Sequence, residues 1–424
     1  MSQVFTLLAL ALAFASMATA RATYPSLVAS AIAVATNWRG VRDYLRGLTR
    51  IRWAWFYLAF MLVATCLFTA FPEFTYIQAA RAGSGLLLAL AIMLFPIKKH
   101  PNLGIGAVAM FALALTLAAP VIESYTVLPF SLPGPLARIS ELTGDTINPN
   151  VFAGVLAVLV CIPISATITL LFAQRPDRSL SELLLGIVFL VLSGFLFVIL
   201  WRAQSRGALI SAILGCFVIV LLRWPRVGFA LIVAGLVVAL IYVWRQGLDR
   251  AQSLVVSLGG LSSKEGPESR LELLELSGYM LQDFAFSGIG MGGFASVTEL
   301  LYPIFTIQPH AHNLFLQIAI DLGIPGLLAW LAILFSVCRA CVRVIRDPLT
   351  KNTPAGALAA GLLASQVAMC THGMVDAVLW GQVRTAPLVW ILWGVALGLE
   401  RASPGNRTPK PLPIQSEQEQ LAAT

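Results

Sequence analysis

The sequence predicts an all-α, polytopic integral membrane protein with about twelve transmembrane helices. Three observations carry that prediction. The chain is 58% hydrophobic and 11% charged, with a mean hydropathy of +0.84, whereas soluble domains hold about 25% charged residues. Apolar segments recur along the chain at roughly the length a bilayer span requires. Lysine and arginine then fall in every second connection between those segments, the asymmetry that sets orientation in a membrane.

In order, the apolar segments lie at about 3–20, 22–37, 53–70, 80–97, 103–120, 149–173, 182–201, 207–222, 227–244, 313–335, 355–372 and 385–400. The shorter ones fall below the ~20 residues of a perpendicular span, so broken or partly buried helices are expected among them. Ala18-Thr19-Ala20 looks like a signal-peptidase site, but Met1-Ser2-Gln3 carries no positive side chain and more apolar sequence follows. A retained first helix is the expectation. The basic connections hold Arg39, Arg42, Arg46, Arg50 and Arg52, then Lys98 and Lys99, Arg175 and Arg178, Arg223 and Arg226, Arg339, Arg343 and Arg346, and finally Arg401, Arg407 and Lys410. A twelve-helix count puts all of them on one side, with both termini in the cytoplasm.

The chain is therefore expected to divide into nine helices over 1–244, an outer segment over 245–312, three helices over 313–400 and a disordered tail over 401–424. The formal net charge of +8 bears on orientation and not on nucleic acid, because no basic run is interleaved with stacking aromatics. Cys66, Cys161 and Cys216 sit in apolar segments as small hydrophobes. Cys338 and Cys341 form a CxxC without a second pair or a nearby histidine, a poor zinc or redox site.

The outer side carries the chemistry. In the segment over 245–312, Ser269-Arg270-Leu271-Glu272 fits a capping box, and Leu273, Leu276 and Met280 follow on one face. The expected helix is amphipathic and lies on the membrane surface or over the bundle. Arg270 in its first turn opposes the helix dipole, so it is either an anion site or a solvated side chain. Ser287-Gly288-Ile289-Gly290-Met291-Gly292-Gly293 has neither a strand before it nor a helix at once after it, which disfavours dinucleotide binding. It reads as a tight, mobile turn leading towards His312.

The stretch His310–Gly326, HAHNLFLQIAIDLGIPG, holds two of the four histidines of the chain where a polar approach turns into an apolar helix. Asn313 suits the N-cap position, and the pair His312-Asn313 either caps the helix or supplies a general base at neutral pH. Arg138, Arg206 and Arg270 lie on the same side, and a guanidinium fork suits phosphate oxygens. Outside the cytoplasm such a phosphate belongs to a lipid. No DxD or ExD pair occurs on the outer loops, so no metal and no cofactor are expected and arginines take the place of a cation.

His312-Asn313, nine residues, and Gly323-Ile324-Pro325-Gly326 resemble the HN-x9-GxxG signature of the O-antigen ligase and O-antigen polymerase superfamily. Ser205-Arg206-Gly207, Glu268-Ser269-Arg270 with the glycine stretch after it, and Asn148-Pro149-Asn150-Val151-Phe152-Ala153 are similar to other motifs of that family. Asp376 falls where the family carries an acidic residue. The likeness spans about 138–400.

The resemblance implies an architecture like the GT-C class of glycosyltransferases and a multi-pass protein of the bacterial inner membrane. It implies transfer of a glycan from undecaprenyl pyrophosphate to lipid A-core at a periplasmic active site, in lipopolysaccharide synthesis, with membrane lipids as surroundings and no nucleic acid partner. His312 would be the base, Arg206, Arg270 and, less centrally, Arg138 would bind the pyrophosphate, and Asp376 and Asn313 would support. Inversion at the anomeric carbon and metal independence follow from that scheme. A polymerase or a protein O-oligosaccharyltransferase of the superfamily is the alternative; the latter branch carries an added soluble C-terminal domain, and residues after 402 read as a short polar tail. A transporter, of a different class, predicts broken helices in two matching halves and charges near the midplane, whereas the polar residues here gather at one face.

Overall fold

A computed structural model of the protein describes residues 2–47, 52–95, 99–118, 121–122, 125–126, 149–173, 179–250, 267–381, 383 and 385–401. Arg138, most of the outer loop around it, and the tail after 402 lie outside the described residues, as do Arg50, Lys98, Arg175, Arg178, Arg407 and Lys410.

Among the described residues there are fifteen α-helices: α1 Ser2–Ala18, α2 Thr23–Thr36, α3 Trp38–Gly47, α4 Arg52–Phe68, α5 Pro72–Ile92, α6 Pro101–Ala118, α7 Pro149–Phe172, α8 Leu180–Arg202, α9 Arg206–Arg223, α10 Pro225–Gln246, α11 Pro267–Asp283, α12 Phe294–Leu301, α13 Leu314–Arg346, α14 Pro354–Gly373 and α15 Pro387–Arg401. Between α6 and α7 two residue pairs, Val121–Ile122 and Tyr125–Thr126, form a minimal antiparallel ladder. The protein is thus a polytopic, all-helical bundle. Each of the twelve apolar segments coincides with a helix. Among the described residues, seven (α5, α7, α8, α9, α10, α13 and α14) are long and apolar enough by themselves to cross a membrane.

Helix α7 is the centre. It is apolar on every side, and residues 152–163 are all buried, the mark of a helix enclosed by others. Against it pack α14, α8 and α9. Small residues set the spacing: a Cβ on Gly361 of α14 would meet Ile162 Cα at 2.7 Å, and Ser365 Oγ donates to Val158 O at 2.6 Å. Close approach through glycine and serine is how helices hold together where lipid removes the hydrophobic drive. By contrast α10 is almost wholly exposed, although apolar, as a lipid-facing helix is.

The longest helix, α13, is broken near its start. Gly323 has φ 73° and ψ 166°, outside helical space. Into the break fits the end of the loop after α11: Ile324 N–H donates to Ala285 O at 2.7 Å, and Ile289 N–H to Ile320 O at 2.8 Å. A Cβ on Gly323 would lie 2.4 Å from Phe286 O, so only glycine serves there. The glycine stretch is accordingly docked, and its expected freedom is not what the contacts describe. A Cβ on Gly290 would strike Thr69 and Thr75, and one on Gly292 would strike Gln78. A second expectation is corrected too, because α12 follows at once, with Gly293 at its N-cap. Preceded by a helix and not a strand, the stretch still lacks a dinucleotide fold.

Helix α11 begins at Pro267, two residues before the expected cap, since proline suits the first helical position. As the pattern requires, Leu273, Leu276 and Met280 are buried, here against Ile289, Phe294, Val297 and Ala311.

Candidate functional site

Several helix ends converge on one face of the bundle. The start of α13 meets the end of α14, because Asn313 Nδ2 donates to Met374 O at 3.1 Å. A Cβ on Gly154 of α7 would lie 2.5 Å from the His372 ring of α14, and one on Gly207 of α9 would lie 2.8 Å from Val375 Cγ2. Thr65 of α4 donates its hydroxyl to Asp321 O of α13 at 3.1 Å. Glycines at these contacts let the ends approach, and the turns between them carry the chemistry.

Asn313 is the N-cap of α13; its Oδ1 accepts from the N–H groups of Phe315 and Leu316, both at 3.0 Å. With Nδ2 on Met374 O, the whole amide is engaged in structure. Just before it, His312 has φ 46°, a left-handed conformation unusual outside glycine. Gln204 and Leu379 share that feature, and their turns lead to Arg206 and Trp380. Strain gathered in the turns at one face is typical of sites that hold side chains for function.

His312 Nδ1 lies 3.6 Å from Asp376 Oδ1, and His310 Nδ1 lies 3.9 Å from the same oxygen. The two imidazole centroids are 4.1 Å apart. His310 Nδ1 accepts the backbone N–H of His312 at 3.2 Å, which holds the pair together and fixes the His310 tautomer with its proton on Nε2. Asp376 is 4% exposed and accepts the N–H of Ala377 at 2.8 Å. Burial alone would raise its pKa, but the approach of His312 and the charges of His310 and His372 outweigh it, and the carboxyl is held down to about 2. His310, buried and beside a second histidine, is pushed down to about 4 despite Asp376. At neutral pH the cluster is therefore an ionised carboxylate flanked by a neutral His310, with His312 presenting Nδ1 to it. A carboxylate behind one ring nitrogen is an arrangement that suits a histidine to proton transfer.

The nitrogen and oxygen atoms of His310, His312 and Asp376 lie within 4.8 Å of one another and could hold a metal ion. His310 Nδ1 already takes the His312 N–H, so a cation held through that atom would break this hydrogen bond, whereas one held through Nε2 would not.

Of the candidate arginines, Arg206 stands at the first position of α9, exposed, after the Ser205 cap. Its neighbour Gly207 packs on Val375, one residue from Asp376, which brings the start of α9 to the turn that carries Asp376. Arg270 is the fourth residue of α11, and its side chain is outside the described residues, as is all of Arg138. Four residues escaped the sequence reading. Asp321, Gln317 and Trp380 form a buried hydrogen-bonded group beneath the histidines. Arg81 is 7% exposed and donates to Gly381 O at 3.4 Å. It was hidden because the apolar segment was placed at 80–97, whereas α5 begins at Pro72 and makes Arg81 a mid-helix residue.

Residues 187–331 match the family model described as O-antigen ligase. The match runs from α8 to α13 and takes in Arg206, Arg270, the two histidines, Asn313, Gly323 and Gly326, while Asp376 lies beyond it. It supports a member of the O-antigen ligase/polymerase superfamily. No curated protein matches the chain.

Proposed function

We propose, from a chain whose residues 187–331 match the O-antigen ligase family model, that the protein is an O-antigen ligase. It would transfer a glycan from undecaprenyl pyrophosphate to lipid A-core at the periplasmic face of the bacterial inner membrane. The observation that carries this reading is the His312–Asp376 pair, 3.6 Å apart at the mouth of α13, with the start of α9 packed on the Asp376 turn.

In the proposed step the acceptor hydroxyl oxygen attacks the anomeric carbon, and its proton passes to His312 Nε2. The bond from the anomeric carbon to the pyrophosphate oxygen breaks as the glycosidic bond forms. Undecaprenyl pyrophosphate leaves as an anion held by Arg206 and Arg270, with Arg138 as a further candidate, and His312 then gives its proton to that anion or to water, which restores the base. One displacement inverts the anomeric centre. Asp376 keeps the Nδ1–H of His312 in place and steadies the imidazolium, the role of a carboxylate behind a catalytic histidine. Positive guanidinium groups aimed at the leaving group act as a metal would, so no metal or cofactor enters the scheme.

The test offers purified protein lipid-linked glycan with two acceptors in parallel, lipid A-core and free glycan. Transfer to lipid A-core is expected. Extension of free glycan alone would move the protein to the polymerase branch. Absence of both, with transport of the donor across vesicles, would replace the enzyme by a transporter.

A further inference from the structure

Asp321 lies about 10 Å below the capped start of α13, by the 1.5 Å rise per residue, and is 1% exposed. An ionisable group inside a membrane helix is costly and is kept where it has a task. Its contacts indicate the task. Asp321 Oδ1 accepts from Gln317 Nε2 at 2.8 Å, and Gln317 Oε1 in turn accepts the N–H of Ala311 at 2.8 Å. Ala311 is the residue between His310 and His312. On the other side Asp321 Oδ2 accepts from Trp380 Nε1 at 2.9 Å, and Trp380 stands in the turn that Asp376 opens. The backbone N–H of Gly292, from the docked glycine stretch, also reaches the carboxylate. His310, Gln317, Asp321, Trp380 and Gly381 border one small cavity.

We infer that Asp321 is a positioning residue that sets the His312–Asp376 pair, holding the histidine turn through Gln317 and the Asp376 turn through Trp380. The inference rests on the proposed role of His312. Hydrogen-bond direction makes the residue specific. Both arms end in N–H donors, one on each carboxylate oxygen, so the hub must accept at both terminal atoms, which a carboxylate does and an amide, with NH2 at one of them, does not. An asparagine facing Gln317 with its oxygen turns its NH2 on Trp380 Nε1–H; flipped, it turns the NH2 on Gln317. Rotating Gln317 to match would set its NH2 against the Ala311 N–H. One arm breaks in every arrangement.

Asp321→Asn is therefore the central variant, with Trp380→Phe as a second one that keeps an aromatic ring, removes the N–H and is smaller by the pyrrole part of the indole. Two readouts are taken on the full-length protein in nanodiscs. Hydrogen exchange over 308–313 and 374–381 needs no turnover. Asp321→Asn is expected to speed exchange in both segments together by about tenfold, and Trp380→Phe in the second alone. Unchanged exchange in the two segments overturns the inference, whether or not the protein transfers glycan. Transfer kinetics give the second readout: kcat of Asp321→Asn is expected to fall about tenfold or more, with KM for the donor within twofold.

In an Asp376→Asn background the same change should cost less than threefold, because the contact it serves is already gone. An equal cost in both backgrounds, or a wild-type kcat in Asp321→Asn, contradicts positioning. If Asp321→Asn does not fold, Trp380→Phe decides, and local exchange equal to wild type overturns the inference. A wild type without transfer sinks the proposed function, while the exchange result still decides the hub.

Discussion

His312 Nδ1 faces Asp376 Oδ1 at 3.6 Å, although the two residues stand at the ends of different helices, one just before α13 and one past the end of α14. The contact exists because Asn313 staples the first helix end to the second through Met374 O. If His312 is the base, Asp376→Asn should keep the geometry and lose the charge that steadies the imidazolium. Its kcat is expected to fall about 10- to 100-fold, less than the 10²- to 10⁴-fold of losing the base itself. Rates measured side by side would contradict the pairing if Asp376→Asn were as active as the wild type.

Asn313→Ala removes both the cap and the staple. Loss of an N-cap costs about 1 kcal/mol, and the broken link to Met374 adds to it. Thermal unfolding in detergent should show a lowered Tm, and kcat should fall because the two turns are no longer held together. A wild-type Tm with unchanged rate would remove Asn313 from the account.

Acid should weaken the fold through His310. Its folded pKa of about 4 lies below the ordinary value of 6.5, so the fold favours the neutral ring. The stabilisation is complete above about 6.5 and is lost progressively as pH falls through about 4. Asp376, lowered to about 2 from 3.8, adds a loss only at still lower pH. Comparing Tm at pH 7 and pH 4.5, His310→Gln should show a smaller drop than the wild type. An equal drop would show that His310 is not the titrating group.

Gly323→Ala should be damaging out of proportion to one methyl group. The position has φ 73°, and the new Cβ would meet Phe286 O at 2.4 Å. A residue forced into such space costs of order 1–3 kcal/mol before the clash is counted. The glycine stretch should undock from the break in α13, visible as faster exchange over 285–293. Gly326→Ala would bring its Cβ to 2.4 Å from Leu322 Cβ, but its φ is not positive, so the backbone strain is absent and the loss should be smaller.

Much of the fold was legible because periodicity and hydropathy are local: each of twelve apolar segments became a helix. His312, Asn313, Gly323 and Gly326 were legible as a motif, and the structure supplies its reason, a capped helix start followed by a break that receives a loop. Asp376 was placed by the motif near the penultimate helix, but its contact with His312 depends on tertiary approach of two ends. His310 carried no signal of its own, since its role comes from the His312 N–H and a carboxylate far along the chain. Asp321 was passed over as one polar residue in an apolar helix, although an intramembrane carboxylate is itself a signal. The short helix after Gly293 was missed because eight residues hold too few turns for a periodic pattern.

The central claim is that His312 serves as base in a transfer that uses no metal. The most direct measurement is the rate of glycan transfer to lipid A-core by wild type and His312→Ala, each in EDTA. The account predicts a wild-type rate unaffected by EDTA and a loss of at least 10²-fold in the variant. A wild-type rate abolished by EDTA and restored by a divalent ion would contradict it, and would assign His310, His312 and Asp376 to a cation instead.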